Sequence, residues 1–141
     1  MDAVRKIISV MSVEEKASLC SGQGVWNTQG IGRINVRSLH MSDGPHGVRI
    51  EGVKATCFPA ACLTAASFDK NLMEEIGAAI GRECRSHNVD ILLGPGLNIK
   101  RSPLGGRNFE YFSEDPVLSG YMAAGFVKGL QGEGVSACIK H

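Results

Sequence analysis

Apolar residues recur with helical spacing in two stretches. Leu72, Ile76, Ile80 and Cys84 are four residues apart, and so are Leu118, Met122, Phe126 and Leu130. That spacing lays one apolar stripe along a helix, so each stretch predicts a helix with a buried face. Asp69 stands before the first as a cap. Asp115-Pro116 opens the second, with Asp as cap and Pro in the first turn, and Gly132 and Gly134 end it. Ser12-Val13-Glu14-Glu15 reads as a capping box that starts an earlier helix, which runs to about Cys20 and stops at Ser21-Gly22.

Short apolar runs lie between these helices. Residues 89–93, interrupted only by Asp90, and residues 135–139 suit strands buried on both faces of a parallel sheet. Residues 36–41 end at Ser42-Asp43-Gly44-Pro45, a strong turn signal, and are read as a strand. Residues 60–66, small and apolar, are compatible with another. The order is helix, strand, strand, helix, strand, helix, strand, which argues for parallel βα units of an α/β fold. The strands over 89–93 and 135–139 are expected to be adjacent and parallel. The loops after the strands carry Asp43, Arg107, Lys140 and His141. A (β/α)8 barrel and an open doubly wound sheet both place their sites beyond the strand ends, and the pattern alone does not choose between them.

Composition narrows the function. Hydrophobic residues make up 43% and charged residues 21% of the 141, the balance of a soluble globular protein. The net charge is +1 and the basic residues are scattered, so nothing draws the chain to nucleic acid or an anionic membrane. Five cysteines, an odd number without a C-x-x-C pair, argue against a disulfide framework or a zinc site. Reduced, largely buried thiols are expected. Residues 1–10 hold no signal-peptide core, and no apolar run approaches the roughly 20 residues that span a bilayer, so a soluble, cytoplasmic protein is expected. A complete barrel needs about 250 residues, and the chain stops directly after an apolar run. It therefore reads as an N-terminal piece that reaches about the fourth strand.

Each polar candidate has a plain reading when taken alone. Asp43 before Gly-Pro suits an Asx-turn. Arg107 after Gly-Gly suits the surface or a phosphate nest. Glu114-Asp115-Pro116 reads as a helix start, and Lys140 and His141 as solvated groups. His46 and His87 read as structural or surface residues, and Trp26 as a core or lid residue before a sugar platform. Together, Asp43, Arg49, Arg107, Lys140 and His141 make a sensible ring around one pyranose. A carboxylate accepts from neighbouring hydroxyls, while Lys and Arg donate. No spacing suits metal ligands, and no G-x-x-x-x-G-K-[ST] or G-x-G-x-x-G motif suggests a nucleotide. No metal or cofactor is implied.

The segments Ser42-Asp43-Gly44-Pro45-His46-Gly47-Val48-Arg49, Gly94 to Pro116, and Lys140-His141 closely resemble glycoside hydrolase family 3, in its β-glucosidase branch. The likeness covers nearly the whole chain, from about Ser12. Its most specific part is Gly105-Gly106-Arg107-Asn108-Phe109-Glu110-Tyr111-Phe112-Ser113-Glu114-Asp115-Pro116. Related N-acetylhexosaminidases share the Lys-His pair but carry a shorter, different segment at the arginine. The resemblance implies a (β/α)8 TIM-type barrel, of which residues 1–141 would form the first half, before the nucleophile strand. It implies a retaining mechanism with an aspartate nucleophile and a separate acid/base carboxylate. Neither lies in this chain, so no catalytic residue is assigned here. Carried over instead is a glycone-binding set for a β-glucoside or oligosaccharide: Asp43, Arg107, Lys140 with His141 beside it, and Arg49 as a support. The alternatives are a non-catalytic sugar-binding module or pseudoenzyme, and a phosphorylase variant of the same family.

Overall fold

The computed structural model describes residues 2–141, which fall into two compact units, 2–41 and 42–141. In the first unit, α1 (Asp2–Ser9) precedes α2 (Val13–Ser18). The capping box forms: Ser12 Oγ accepts from the Glu15 amide at 3.2 Å, and Glu15 Oε2 accepts from the Ser12 amide at 2.9 Å. The helix ends at Ser18, two residues short of the expected Cys20. Both carboxylate oxygens of Glu15 also accept from Arg33, Nε at 3.0 Å and Nη2 at 2.7 Å. This fork-to-carboxylate pairing fixes Arg33 more firmly than a single contact would. A hairpin of β1 (Gly22–Gln23) and β2 (Asn27–Thr28) carries Trp26 in its turn, 42% exposed rather than in the core.

The strand expected over 36–41 does not form. A 3-10 turn over Gly32–Ile34, with left-handed Asn35 after it, folds the chain back so that Ile31 bridges Val36. Regular strand begins only at β3 (Met41–Asp43). The run over 60–66 is a second correction: it forms a helix, α3 (Ala61–Ala65). Alanine has the strongest intrinsic helix preference, and nothing in Ala-Cys-Leu-Thr-Ala supplies the β-branched density that favours a strand.

The remaining elements follow the expected order. They are α4 (Lys70–Ser86), β4 (Ile91–Leu93), α5 (Pro116–Gly132) and β5 (Ser136–Ala137). Asp69 Oδ1 caps α4 by accepting from the Asn71 and Leu72 amides, and Asp115 Oδ1 caps α5 by accepting from Val117. The sheet order is β3-β4-β5, and β4 and β5 are parallel, with Ile91 opposite Ser136 and Leu92 opposite Ala137. Leu92, Ile80, Cys84, Met122, Phe126 and Leu130 are almost completely buried around this sheet. Burial of each large apolar side chain contributes roughly 1.5–3 kcal/mol. One cysteine of the five is buried, Cys84, whose thiol burial pushes up to about 11. The others are exposed; Cys62 lies off the buried face of α3, which consists of Ala61, Thr64 and Ala65.

The α4 stripe is offset from the expected one. Leu72 is 38% exposed, and the buried face is Met73, Gly77, Ile80, Gly81 and Cys84. Glycine enters this face because α4 and α5 approach each other closely. A Cβ on Gly77 would lie 2.2 Å from the Phe126 carbonyl oxygen, and one on Gly129 would lie 2.0 Å from that of Glu74.

Gly-to-Ala inside a helix ordinarily stabilises by up to about 1 kcal/mol. Here the sign should reverse: Gly77→Ala should cost roughly 1–3 kcal/mol through overpacking. The urea midpoint of the variant against the wild type measures this, and a variant at least as stable as the wild type would show that the two helices can separate freely.

Candidate functional site

Asp43 closes β3, and the next residue turns the chain sharply. Gly44 has φ +134, and a Cβ there would lie 1.9 Å from the Gly47 carbonyl oxygen. The turn brings Arg49 back beside Asp43: their backbones bridge antiparallel, with the Arg49 amide donating to the Asp43 carbonyl at 3.0 Å. The Arg49 guanidinium lies 3.5 Å from Asp43 Oδ2 but is 81% exposed, a rim contact of small energetic weight.

Lys140 arrives from the other end of the sequence. Beyond β5 the chain keeps pace with residues 95–97. The Lys140 amide donates to the Pro95 carbonyl at 3.1 Å, and the Lys140 carbonyl accepts from Leu97 at 2.7 Å. This continuation of the parallel pairing sets Lys140 Nζ 2.5 Å from Asp43 Oδ1, with the lysine side chain only 18% exposed. Burial pushes the Asp43 carboxyl upward. The Lys140 hydrogen bond and charge, the Gly44 amide and the Arg49 charge outweigh it and hold the group below its ordinary value.

Arg107, in the loop after β4, meets His141. Its Nη2 lies 2.7 Å from His141 Nε2, and Tyr111 Oη lies 3.0 Å from His141 Nδ1. A guanidinium only donates, so His141 Nε2 accepts and the imidazole proton sits on Nδ1, facing the tyrosine. Asn98 Oδ1 accepts from the His141 amide at 2.8 Å. Arg107 Nε donates to Glu110 Oε1 in a close ion pair. Glu110 is a buried carboxylate, and it lines the same cleft of about 420 Å³ as Asp43, His46 and Arg49. His46 Nε2 accepts from the Ala61 amide at 3.0 Å. Burial lowers its proton affinity, and Lys140 adds to this while Glu110 opposes it.

The structure therefore joins Asp43, Arg49 and Lys140 in one contact group and Arg107 with His141 in a second, with Glu110 reaching both neighbourhoods. Sequence reading did not single out Glu110 or Tyr111. One signal was available: a charged residue three positions after Arg107, followed by two aromatic residues, can return to a guanidinium on one helical turn. Glu114 and Asp115 take no part; Glu114 is exposed and Asp115 caps α5. Among the described residues, no three or more His, Cys, Asp or Glu side chains converge as metal ligands, and no helix is long and apolar enough to cross a membrane.

Residues 6–141 match the model of the glycosyl hydrolase family 3 N-terminal domain. The chain is 54% identical over 149 residues to thermostable β-glucosidase B of Acetivibrio thermocellus, covering 98% of this chain and 20% of that protein. It is 44% identical over 143 residues to an exo-α-(1→6)-L-arabinopyranosidase of Bifidobacterium longum, covering 93% and 19%. Among solved structures, the β-glucosidase of Bifidobacterium adolescentis aligns with a TM-score of 0.91 at 46% identity, over 95% of this chain and 20% of that one. β-Glucosidase 3B of Thermotoga neapolitana, in complex with α-D-glucose, aligns with a TM-score of 0.91 at 41% identity, over 99% and 23%. The chain thus spans about a fifth of the length of these relatives.

The Asp43–Lys140 pair carries a pH signature. A carboxyl whose value falls on folding adds stability above its unfolded value and loses it as pH drops through the folded one. The stability advantage of the wild type over Asp43→Asn should therefore be full at pH 7 and shrink below about 3.8, the ordinary value for Asp. Denaturant titrations at pH 7, 5, 4 and 3 measure it; a constant difference across that series would mean that Asp43 is not held ionised by folding.

Proposed function

The chain belongs to glycosyl hydrolase family 3, its fold being the first part of a (β/α)8 TIM-type barrel, and on that footing we propose that it supplies part of the glycone-binding site of an enzyme that releases terminal β-D-glucosyl residues. The observation that carries this reading is the meeting of Asp43 with Lys140 beside a cleft also lined by Glu110, on a fold shared with β-glucosidases. Asp43 accepts from sugar hydroxyls. Lys140 and Arg107 donate to them, His141 sits beside both, and Arg49 supports Asp43 from the rim. Residues 1–141 form the N-terminal part of the barrel domain in this reading.

The chemistry is a retaining hydrolysis. One carboxylate attacks the anomeric carbon and a second carboxylic acid protonates the leaving oxygen; water then attacks the glycosyl-enzyme bond, deprotonated by that second group. The two carboxyl groups stand about 5–5.5 Å apart in such sites. Asp43 and Glu110 are each committed to a cation, by Lys140 and by Arg107. They are poor candidates for either role, so both reacting carboxylates come from the remainder of the enzyme. What residues 1–141 contribute is orientation: the sugar is held by its ring hydroxyls while the reacting groups approach its anomeric carbon.

The test is hydrolysis of a chromogenic aryl β-glucoside by the complete enzyme and by its Asp43→Ala variant. Each charge-assisted hydrogen bond to a hydroxyl contributes roughly 1.5–3 kcal/mol, so loss of two should lower kcat/KM by on the order of a hundredfold or more. A variant with wild-type kcat/KM would refute the assignment of Asp43. Release of glucosyl phosphate in preference to glucose would instead make the enzyme a phosphorylase. A complete protein that binds glucose without cleaving any glucoside would be a sugar-binding module.

A further inference from the structure

Glu110 is a buried carboxylate, and the role proposed for the site does not use it. Its side chain is 11% exposed, while that of its ion-pair partner Arg107 is 57% exposed. The carboxylate sits at the end of the 3-10 turn Asn108–Glu110, which folds residue 110 back onto residue 107. The turn is pressed against the strand side of the unit: a Cβ on Gly96 would lie 2.9 Å from the Glu110 carbonyl oxygen and 3.0 Å from the Tyr111 ring. Gly96 itself bridges Lys140. Glu110 is thus anchored to backbone that also places Lys140, while the guanidinium it holds reaches outward.

The donor inventory of Arg107 shows what this anchoring achieves. A guanidinium has five N–H donors in a rigid plane. Nε is taken by Glu110, and one Nη2 proton by His141. Two protons on Nη1 and one on Nη2 remain, on a side chain that is 57% exposed. With Nε pinned, the last torsions of a long side chain cannot sweep those donors away. Without the pin, the ordering of an exposed arginine would fall on the ligand at the moment of binding. His141 gains as well, because Arg107 fixes its Nε2 and Tyr111 its Nδ1.

We propose that Glu110 is a positioning residue: through Arg107 Nε it fixes the guanidinium, and through the guanidinium His141, in the orientation that receives a sugar. This rests on the sugar-binding reading of the site. Glu110 touches no substrate in this scheme and takes no proton; it acts only through Arg107.

A double-mutant cycle on the complete enzyme separates this from a merely structural role. Glucose binding is measured by calorimetry for the wild type, Glu110→Gln, Arg107→Ala and the double variant. Glu110→Gln keeps the shape and removes the charge, which preserves folding better than truncation of a buried side chain. It should weaken glucose binding about tenfold in the wild-type background and by less than about twofold once Arg107 is alanine. Equal weakening in both backgrounds would overturn the proposal, as would wild-type affinity in Glu110→Gln alone. A second readout does not depend on the sugar. The Arg107 Nε–H resonance should show an ordered side chain in the wild type and an averaged one in Glu110→Gln. If the wild type fails to bind glucose, the sugar reading falls, and this resonance still decides whether Glu110 holds the arginine: no change in its order would overturn the positioning role as well.

Discussion

A half-buried ion pair across 97 positions of sequence, Lys140 to Asp43, is the contact on which the site depends. Each group alone would be costly to keep charged in a setting where the lysine is 18% and the aspartate 28% exposed. Together they are compatible with that setting only if the backbone delivers both atoms to one point. The sheet does so. β4 and β5 run parallel, and the pairing extends past the regular strand until Lys140 is locked between Pro95 and Leu97. On the other side, Gly44 lets the chain reverse within a few residues, so that Asp43 ends a strand and still receives its neighbours' donors. The tight turn, the parallel ladder and the ion pair constrain one another, and loosening any one would free the other two.

What was legible in the sequence was mostly local. Capping is decided within four residues, and Ser12, Asp69 and Asp115 all cap where their spacing indicates. The two long helices and the parallel pair β4 and β5 were legible for a similar reason: period and run length are properties of contiguous sequence. The failures arose where tertiary contact decided. Ala61–Ala65 carries too little side chain to announce a face, and alanine's helix preference prevailed. The buried face of α4 includes Gly77 and Gly81, which no count of apolar residues finds, because their value lies in the missing Cβ against α5. Cysteine burial was misjudged because a small polarizable side chain is tolerated on either side of a helix or loop, and composition says nothing about which.

The candidate site divides along the same line. Asp43, Arg107, Lys140 and His141 stood out through a family resemblance and through their places after strands, and Arg49 through the resemblance. Glu110 did not, although it lies within the most recognisable segment. Its neighbour Phe109 is 56% exposed while Tyr111 is 8% exposed, so alternation around it gives no clear sign of burial. Only the 3-10 turn, which brings residue 110 back to residue 107, turns an ordinary glutamate into the partner of an arginine. Motif reading finds residues that would face a ligand. It is weaker for residues that face those residues, since their role exists only once the chain has folded.

The charges of the site bear on what it can hold. Asp43 is matched by Lys140 and Glu110 by Arg107, while Arg49 is largely in water and screened. The inner charges therefore cancel in pairs. A site for a phosphate or a carboxylate would be expected to keep a cation unspent, because an anion gains from uncompensated positive charge. Pairing instead leaves a surface with little net field and many oriented hydrogen-bond groups. Asp43 retains acceptor capacity beyond Lys140, and Arg107 retains three donors beyond Glu110 and His141. Such a surface meets a ligand through the direction of its hydrogen bonds rather than through net charge.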